Sequence, residues 1–146
     1  VADWTAGIVS RSSCLPQSRF SLLSNVRAAG HKGYDRIVFE FSEPGIPGLH
    51  LEYIDEPVRQ CGSGKALYLP GDGWLEMRFT PARMHRQSMT TVADRDRYLR
   101  LPVVQRLVAT CDFENRVVWV AAVREPNRYR VLTLDDPPRV VVDIHH

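Results

Sequence analysis

The chain has 146 residues, 44% of them hydrophobic and 25% charged, with a formal net charge of +2. That length suits one domain able to bury a full core, and no apolar run is long enough to cross a bilayer as a helix. Arginines and acids are interspersed along most of the chain, which argues against nucleic acid as a partner, because such binders gather their basic residues on one face.

Residues Val1 to Phe20 show no clean period and are rich in serine. They read as a loop or extension, residues 1–21, that tethers the folded part to a removed signal or lipidated segment. Val1-Ala2-Asp3-Trp4 has neither a basic start nor a long apolar region, so the sequence start itself leaves the compartment open. The folded part runs from 22 to 146. Leu22 to Ala28 reads as its first strand, Gly30-His31-Lys32-Gly33 as a turn with a longer loop, and Arg36 to Phe41 as the second strand. In that strand Ile37, Phe39 and Phe41 share one face, while Val38 and Glu40 share the other. Ser42-Glu43-Pro44-Gly45-Ile46-Pro47-Gly48 breaks the pattern, because each proline lacks a ladder donor.

Leu49, Leu51 and Tyr53 alternate with His50 and Glu52 as a third strand. Cys61-Gly62-Ser63-Gly64-Lys65 is a flexible loop whose spacing is too short for a P-loop. Ala66 to Leu69 is a short strand. Gly71-Asp72-Gly73 turns into Trp74 to Thr80, which puts Leu75, Met77 and Phe79 on one face and Trp74, Glu76 and Arg78 on the other. Pro81 to Arg86 reads as a single helical turn, and Met89 to Asp96 as a loop crossing between sheets. Val103 to Phe113 and Val117 to Val123 follow as long strands. The second is apolar on both faces and belongs at the centre of a sheet, with Trp119 in the core. Tyr129 to Leu134 returns, and Asp135-Asp136-Pro137-Pro138 turns into the last strand, Arg139 to Ile144.

About nine short strands and no helical period sustained over three turns predict an all-β fold, a two-sheet β-sandwich or small barrel. The last strand matches the second in design: a turn, an arginine, an apolar run, then an acid. Both can lie side by side with Arg36, Arg139 and Asp143 on the less buried face.

The three cysteines allow one disulfide and one free thiol in three pairings. Cys14 and Cys61 both fall in loops, whereas Cys111 shares a strand face with Leu107, Ala109 and Phe113 and has a ready role as a small buried residue. This favours Cys14–Cys61. No Cys-x-x-Cys or His-x-x-x-His spacing is present, so no metal or cofactor is expected. Gly-x-Ser-x-Gly is also absent, and no catalytic residue is assigned.

Binding is the better expectation. Trp74 lies on the polar face of its strand beside Glu76 and Arg78. A flat ring flanked by polar groups can stack on a sugar while hydrogen bonds orient it; packing under a neighbouring loop is the favoured reading for this ring. Arg83, His85 and Arg86, with Arg95 and Arg97 beyond, form the densest basic region, offset by Asp94 and Asp96.

Several short stretches also resemble one family in its order. They are Gly33-Tyr34-Asp35-Arg36-Ile37-Val38-Phe39-Glu40-Phe41, Leu69-Pro70-Gly71-Asp72, Thr80-Pro81-Ala82, Cys111-Asp112-Phe113-Glu114, Val118-Trp119-Val120 and Asp136-Pro137-Pro138-Arg139 running on to Ile144. From Ser24 to His145 the chain resembles the AMIN-like domains of actinobacterial secreted proteins and lipoproteins. The resemblance implies two packed sheets and a non-catalytic, extracytoplasmic cell-envelope module. Its implied partner is cell-wall glycan (peptidoglycan) or a wall-associated envelope protein. The alternative is a lipoprotein that binds a small apolar ligand or lipid in a pocket between its sheets.

Overall fold

The computed structural model describes residues 3–42 and 44–146. Val1 and Ala2, which open the N-terminal stretch, and Glu43, in the break after the second expected strand, lie outside the described residues. In chain order the strands are β1 (Val9–Arg11), β2 (Ser21–His31), β3 (Tyr34–Phe41), β4 (Gly48–Ile54), β5 (Val58–Arg59), β6 (Ala66–Leu67), β7 (Gly73–Thr80) and β8 (Ala82–Arg83). Then come β9 (His85–Arg86), β10 (Met89–Thr90), β11 (Asp96–Tyr98), β12 (Val104–Phe113), β13 (Arg116–Val123), β14 (Tyr129–Leu134) and β15 (Arg139–His145). The described residues form no helix.

Two sheets make the sandwich: a six-stranded one ordered β1-β4-β7-β13-β12-β11 and a five-stranded one ordered β14-β15-β3-β2-β8. The small pairs β9–β10 and β5–β6 lie apart from them. The strand pattern of the sequence is the reason. Along β3 and β7, every second side chain is buried. β13 is flanked by β7 and β12 and buries every residue from Val117 to Val123, as its two-sided apolarity requires. Phe39, Phe41, Phe79 and Trp119 have no exposed surface. The Phe79 ring centre lies 4.9 Å from that of Phe39, in a tilted contact, and 5.3 Å from that of Phe41, edge to face, so the two sheets interlock through aromatic rings.

The second and last expected strands do pair. β15 lies antiparallel to β3, with Val142 opposite Ile37 and Asp143 opposite Arg36. Asp143 has no exposure. Burial pushes its carboxyl up, but hydrogen bonds from Arg36 and Arg130, with their charges, outweigh burial and hold it below the ordinary carboxylate range. Arg36 donates to both carboxylate oxygens, at 2.7 and 3.0 Å, and Arg130 adds a bond of 2.8 Å. Trp4 covers this cluster, with the Arg130 guanidinium 4.5 Å from its ring centre.

Four sequence expectations are corrected. The turn between β2 and β3 is tighter than expected: His31 pairs with Tyr34, leaving only Lys32 and Gly33, the latter at φ 90. Residues 81–86 form no helical turn. Their backbone donors bond sideways, Ala82 N–H to Asn115 O at 2.8 Å and Met84 N–H to Asp112 Oδ1 at 3.1 Å. Ala82 and Met84 both point inward, a period of two that suits a strand. Within the stretch read as a tether, β1 pairs with β4, and Thr5 bridges Tyr129. A three-residue edge strand is too short to show a period in sequence. Finally, β1, β5, β8, β9, β10 and β11 are short strands beyond the nine expected ones.

Candidate functional site

The outward face of the six-stranded sheet carries the strongest arrangement of polar chemistry. Strand register fixes it in rows. One row runs His50–Arg78–Val118–Cys111 and the next Glu52–Glu76–Val120–Val108. A third runs Ile54–Trp74–Ala122–Arg106. Seven of these twelve side chains are apolar, and residues 55–72 lie across them as a strap. Val58 and Leu69 from the strap pack on Val108, Val120 and Ala122, with Ile54, Leu67 and Trp74 around them. The Cys61 N–H bonds to Thr110 O at 3.0 Å, and Asp72 N–H bonds to Val123 O at 3.0 Å. Gly71 makes that return tight: its φ is 143, and a Cβ there would sit 2.6 Å from Val123 O, so only glycine fits without displacement.

The strap is also covalent. Cys61 bonds to Cys111, and Cys14 is free and exposed. The expected Cys14–Cys61 pairing is therefore corrected. A β-bulge between Ala109 and Cys111 is the cause: Ala109 opposes the core residue Trp119, but Cys111 opposes the outward Val118. The extra residue turns Cys111 away from the face of Leu107 and Ala109. Period-two counting along the sequence puts it on the wrong side.

The disulfide forms a ridge between two clefts. One, of about 740 Å³, runs past Arg95, Asp96, Arg106, Asp112 and Phe113. Its charges neutralise one another. Arg106 donates to both oxygens of Asp96, at 2.8 and 2.7 Å, and those bonds hold the Asp96 carboxyl below its ordinary range. Asp112 Oδ2 accepts from Arg95 at 3.2 Å and lies 2.8 Å from His85 Nδ1. The other cleft, of about 440 Å³, is lined by Arg59, Gln60, Glu76, Arg78, Thr110 and Arg116. A smaller cleft of about 270 Å³ is lined by Arg78, His50 and Arg11.

Of the residues singled out in sequence, Glu76 and Arg78 line the 440 Å³ cleft. Trp74 is no open platform: it packs into the cluster beneath the strap, and its Nε1–H donates to Leu69 O at 3.0 Å. Arg83 turns elsewhere, donating to Asn115 Oδ1 at 2.6 Å with its guanidinium 4.0 Å from the Phe20 ring centre. His85 reaches the first cleft's rim through Asp112, while Arg86 is exposed on β9. The six candidates thus split between the strapped face and the β8–β9 edge. Arg59, Arg116 and Thr110 escape sequence reading because they come from the strap, β13 and the bulge of β12, and no local spacing links them.

Asp112 orients the His85 ring, but among the described residues no serine, threonine or cysteine side chain bonds to it. Among the described residues, no group of three or more His, Cys, Asp or Glu is placed to hold a metal ion. What the face offers is directional, charged hydrogen bonding on a rigid sheet. Residues 21–146 match the family model described as AMIN-like domain. No curated protein and no solved structure matches the chain.

Proposed function

We propose that this chain, which belongs to the AMIN-like domain family, is a non-catalytic cell-envelope module that works outside the cytoplasm and binds peptidoglycan or a wall-associated partner. The observation that carries this reading is the strapped face. Its clefts are built from polar and charged side chains on a sheet, with a disulfide fixing the wall between them. Disulfides persist in oxidising compartments, which supports the extracytoplasmic placement. Glu76 and Arg78 are assigned to the binding face, with His85 at its rim. Arg83 and Arg86 flank it on the β8–β9 edge, and Trp74 supports it from below. An N-terminal membrane attachment through a removed lipidated segment is compatible with this face staying free, because Trp4 docks on the other sheet against Arg130.

The apolar-pocket alternative is the weaker one. Phe39, Phe41, Met77, Phe79, Met84 and Trp119 occupy the space between the sheets with no exposed surface. The 440 Å³ cleft lies on the outward face of the six-stranded sheet, and the 740 Å³ cleft follows that sheet's β11–β12 edge.

The test is a pelleting assay with insoluble peptidoglycan at low and moderate salt, beside a Gln60→Trp variant. Gln60 lines both clefts, so a bulky ring there blocks both. Saturable binding that survives moderate salt and is lost in the variant is the expected result. Binding that disappears with salt and ignores the variant is a nonspecific charge effect and overturns the assignment.

A further inference from the structure

The two clefts beside the disulfide differ in one respect that bears on ligand choice. In the 740 Å³ cleft the arginines are spent: Arg106 is bound to Asp96 and Arg95 to Asp112. Across the ridge, none of Arg59, Arg78 and Arg116 has a carboxylate within ion-pair distance among the described residues. Arg59 donates to the backbone carbonyl of Gly64 at 2.9 Å. Arg78 also faces the adjoining cleft, where Arg11 donates only to Val131 O at 3.3 Å. Three guanidiniums with unused donors thus surround one 440 Å³ cleft, whereas Arg11 sits opposite the core-facing Leu49 and turns toward β14 of the other sheet. A guanidinium matches a planar carboxylate with two parallel bonds.

The cleft is not a plain anion trap. Glu76 lines it, with Gln60 and Thr110. Glu76 stands opposite Glu52 on β4, a like-charge pair across the strands, while Glu52 itself lies 3.0 Å from His50 Nε2. Glu76 is left seeking a donor. The phosphodiester groups of a polyphosphodiester are acceptors only and would face Glu76 as like charge, its sole donors being neutral hydroxyls. A peptide brings carboxylates for the arginines and N–H groups for Glu76, Gln60 and Thr110.

We propose that the Arg59–Arg78–Arg116 cleft binds a short acidic peptide segment, its carboxylates on the guanidiniums and an amide or ammonium N–H on Glu76. This rests on the strapped face being the binding face, and it names the part of the wall or wall-associated partner that is gripped.

The test is calorimetric titration of the whole chain with three soluble probes. One is an alanine–glutamate hexapeptide with a free C-terminal carboxylate, one its glutamine counterpart with an amidated end, and one a polyglycerol phosphate of matched charge. The acidic peptide binds, and the other two bind at least about tenfold more weakly, the ratio equivalent to one lost charge-assisted bond. Arg78→Gln and Arg116→Gln each weaken peptide binding about three- to tenfold. Arg128→Gln, which removes the same charge beside Trp4, leaves it unchanged. Equal binding of the phosphate polymer overturns the peptide assignment in favour of an unselective anion site. Absence of peptide binding, or equal effects of all three variants, overturns it outright. Peptidoglycan pelleting that persists in Arg78→Gln while the peptide fails to bind would sink this inference and leave the wall-binding reading standing.

Discussion

Removing the Cys61–Cys111 bond isolates the strap's contribution. The perturbation is Cys61→Ser with Cys111→Ser, made in a Cys14→Ser background so that the free thiol cannot form a new pair. The cross-link closes a loop with a sequence separation of 50, and the chain-entropy relation assigns such a loop about 4 kcal/mol. At about 2.1 cal/mol/K of unfolding entropy per residue, 146 residues give about 0.3 kcal/mol/K. A loss of about 4 kcal/mol then lowers Tm by roughly 13 °C. A strap that loosens in the folded state recovers some entropy, so the expected drop is about 10 °C. Thermal denaturation followed by circular dichroism reads the global number, and amide exchange reads the local one. The Cys61 amide, bonded to Thr110 O, exchanges faster, while the amides of central β13 keep their protection. A drop below about 2 °C with unchanged exchange at Cys61 would refute the reasoning, because the noncovalent contacts of Val58 and Leu69 would then hold the strap unaided.

Asp143→Asn leaves Arg36 and Arg130 without their anion and costs about 2–3 kcal/mol at neutral pH, the buried-pair penalty reduced because both arginines reach solvent. The folded-state carboxyl is held low, so its stabilisation is complete above the unfolded value of about 3.9 and is lost as pH falls through the folded one. In urea denaturation the gap between parent and variant narrows below about pH 4, and a gap that does not change with pH refutes the assignment. Trp74→Ala removes a half-buried ring and its bond to Leu69 O. The expected cost is about 2 kcal/mol of stability, and full stability in the same measurement would reinstate Trp74 as an exposed platform.

Strand composition was most readable where a strand buries alternate residues, as β3 and β7 do, or both faces, as β13 does. Ile37, Phe39 and Phe41 on β3, and Leu75, Met77 and Phe79 on β7, announce their core face by period alone. The pairing of β3 with β15 was legible from their shared design of arginine, apolar run and acid. The central place of β13 followed from its two-sided apolarity. These are properties of single segments, and a sequence states them directly. The bulge at Thr110, the Cys61–Cys111 bond and the gathering of Arg59, Arg78 and Arg116 are of another kind. One extra residue in β12 reverses the face of Cys111, and no local pattern records that insertion. The polarity of Trp74's strand face left open both a stacking platform and packing under a loop, and the strap from the preceding loop decides for packing. Local periodicity therefore determined which residues enter the sandwich. The strand register, the bulge and the strap, which are relations between segments distant in sequence, decided which polar residues meet outside it.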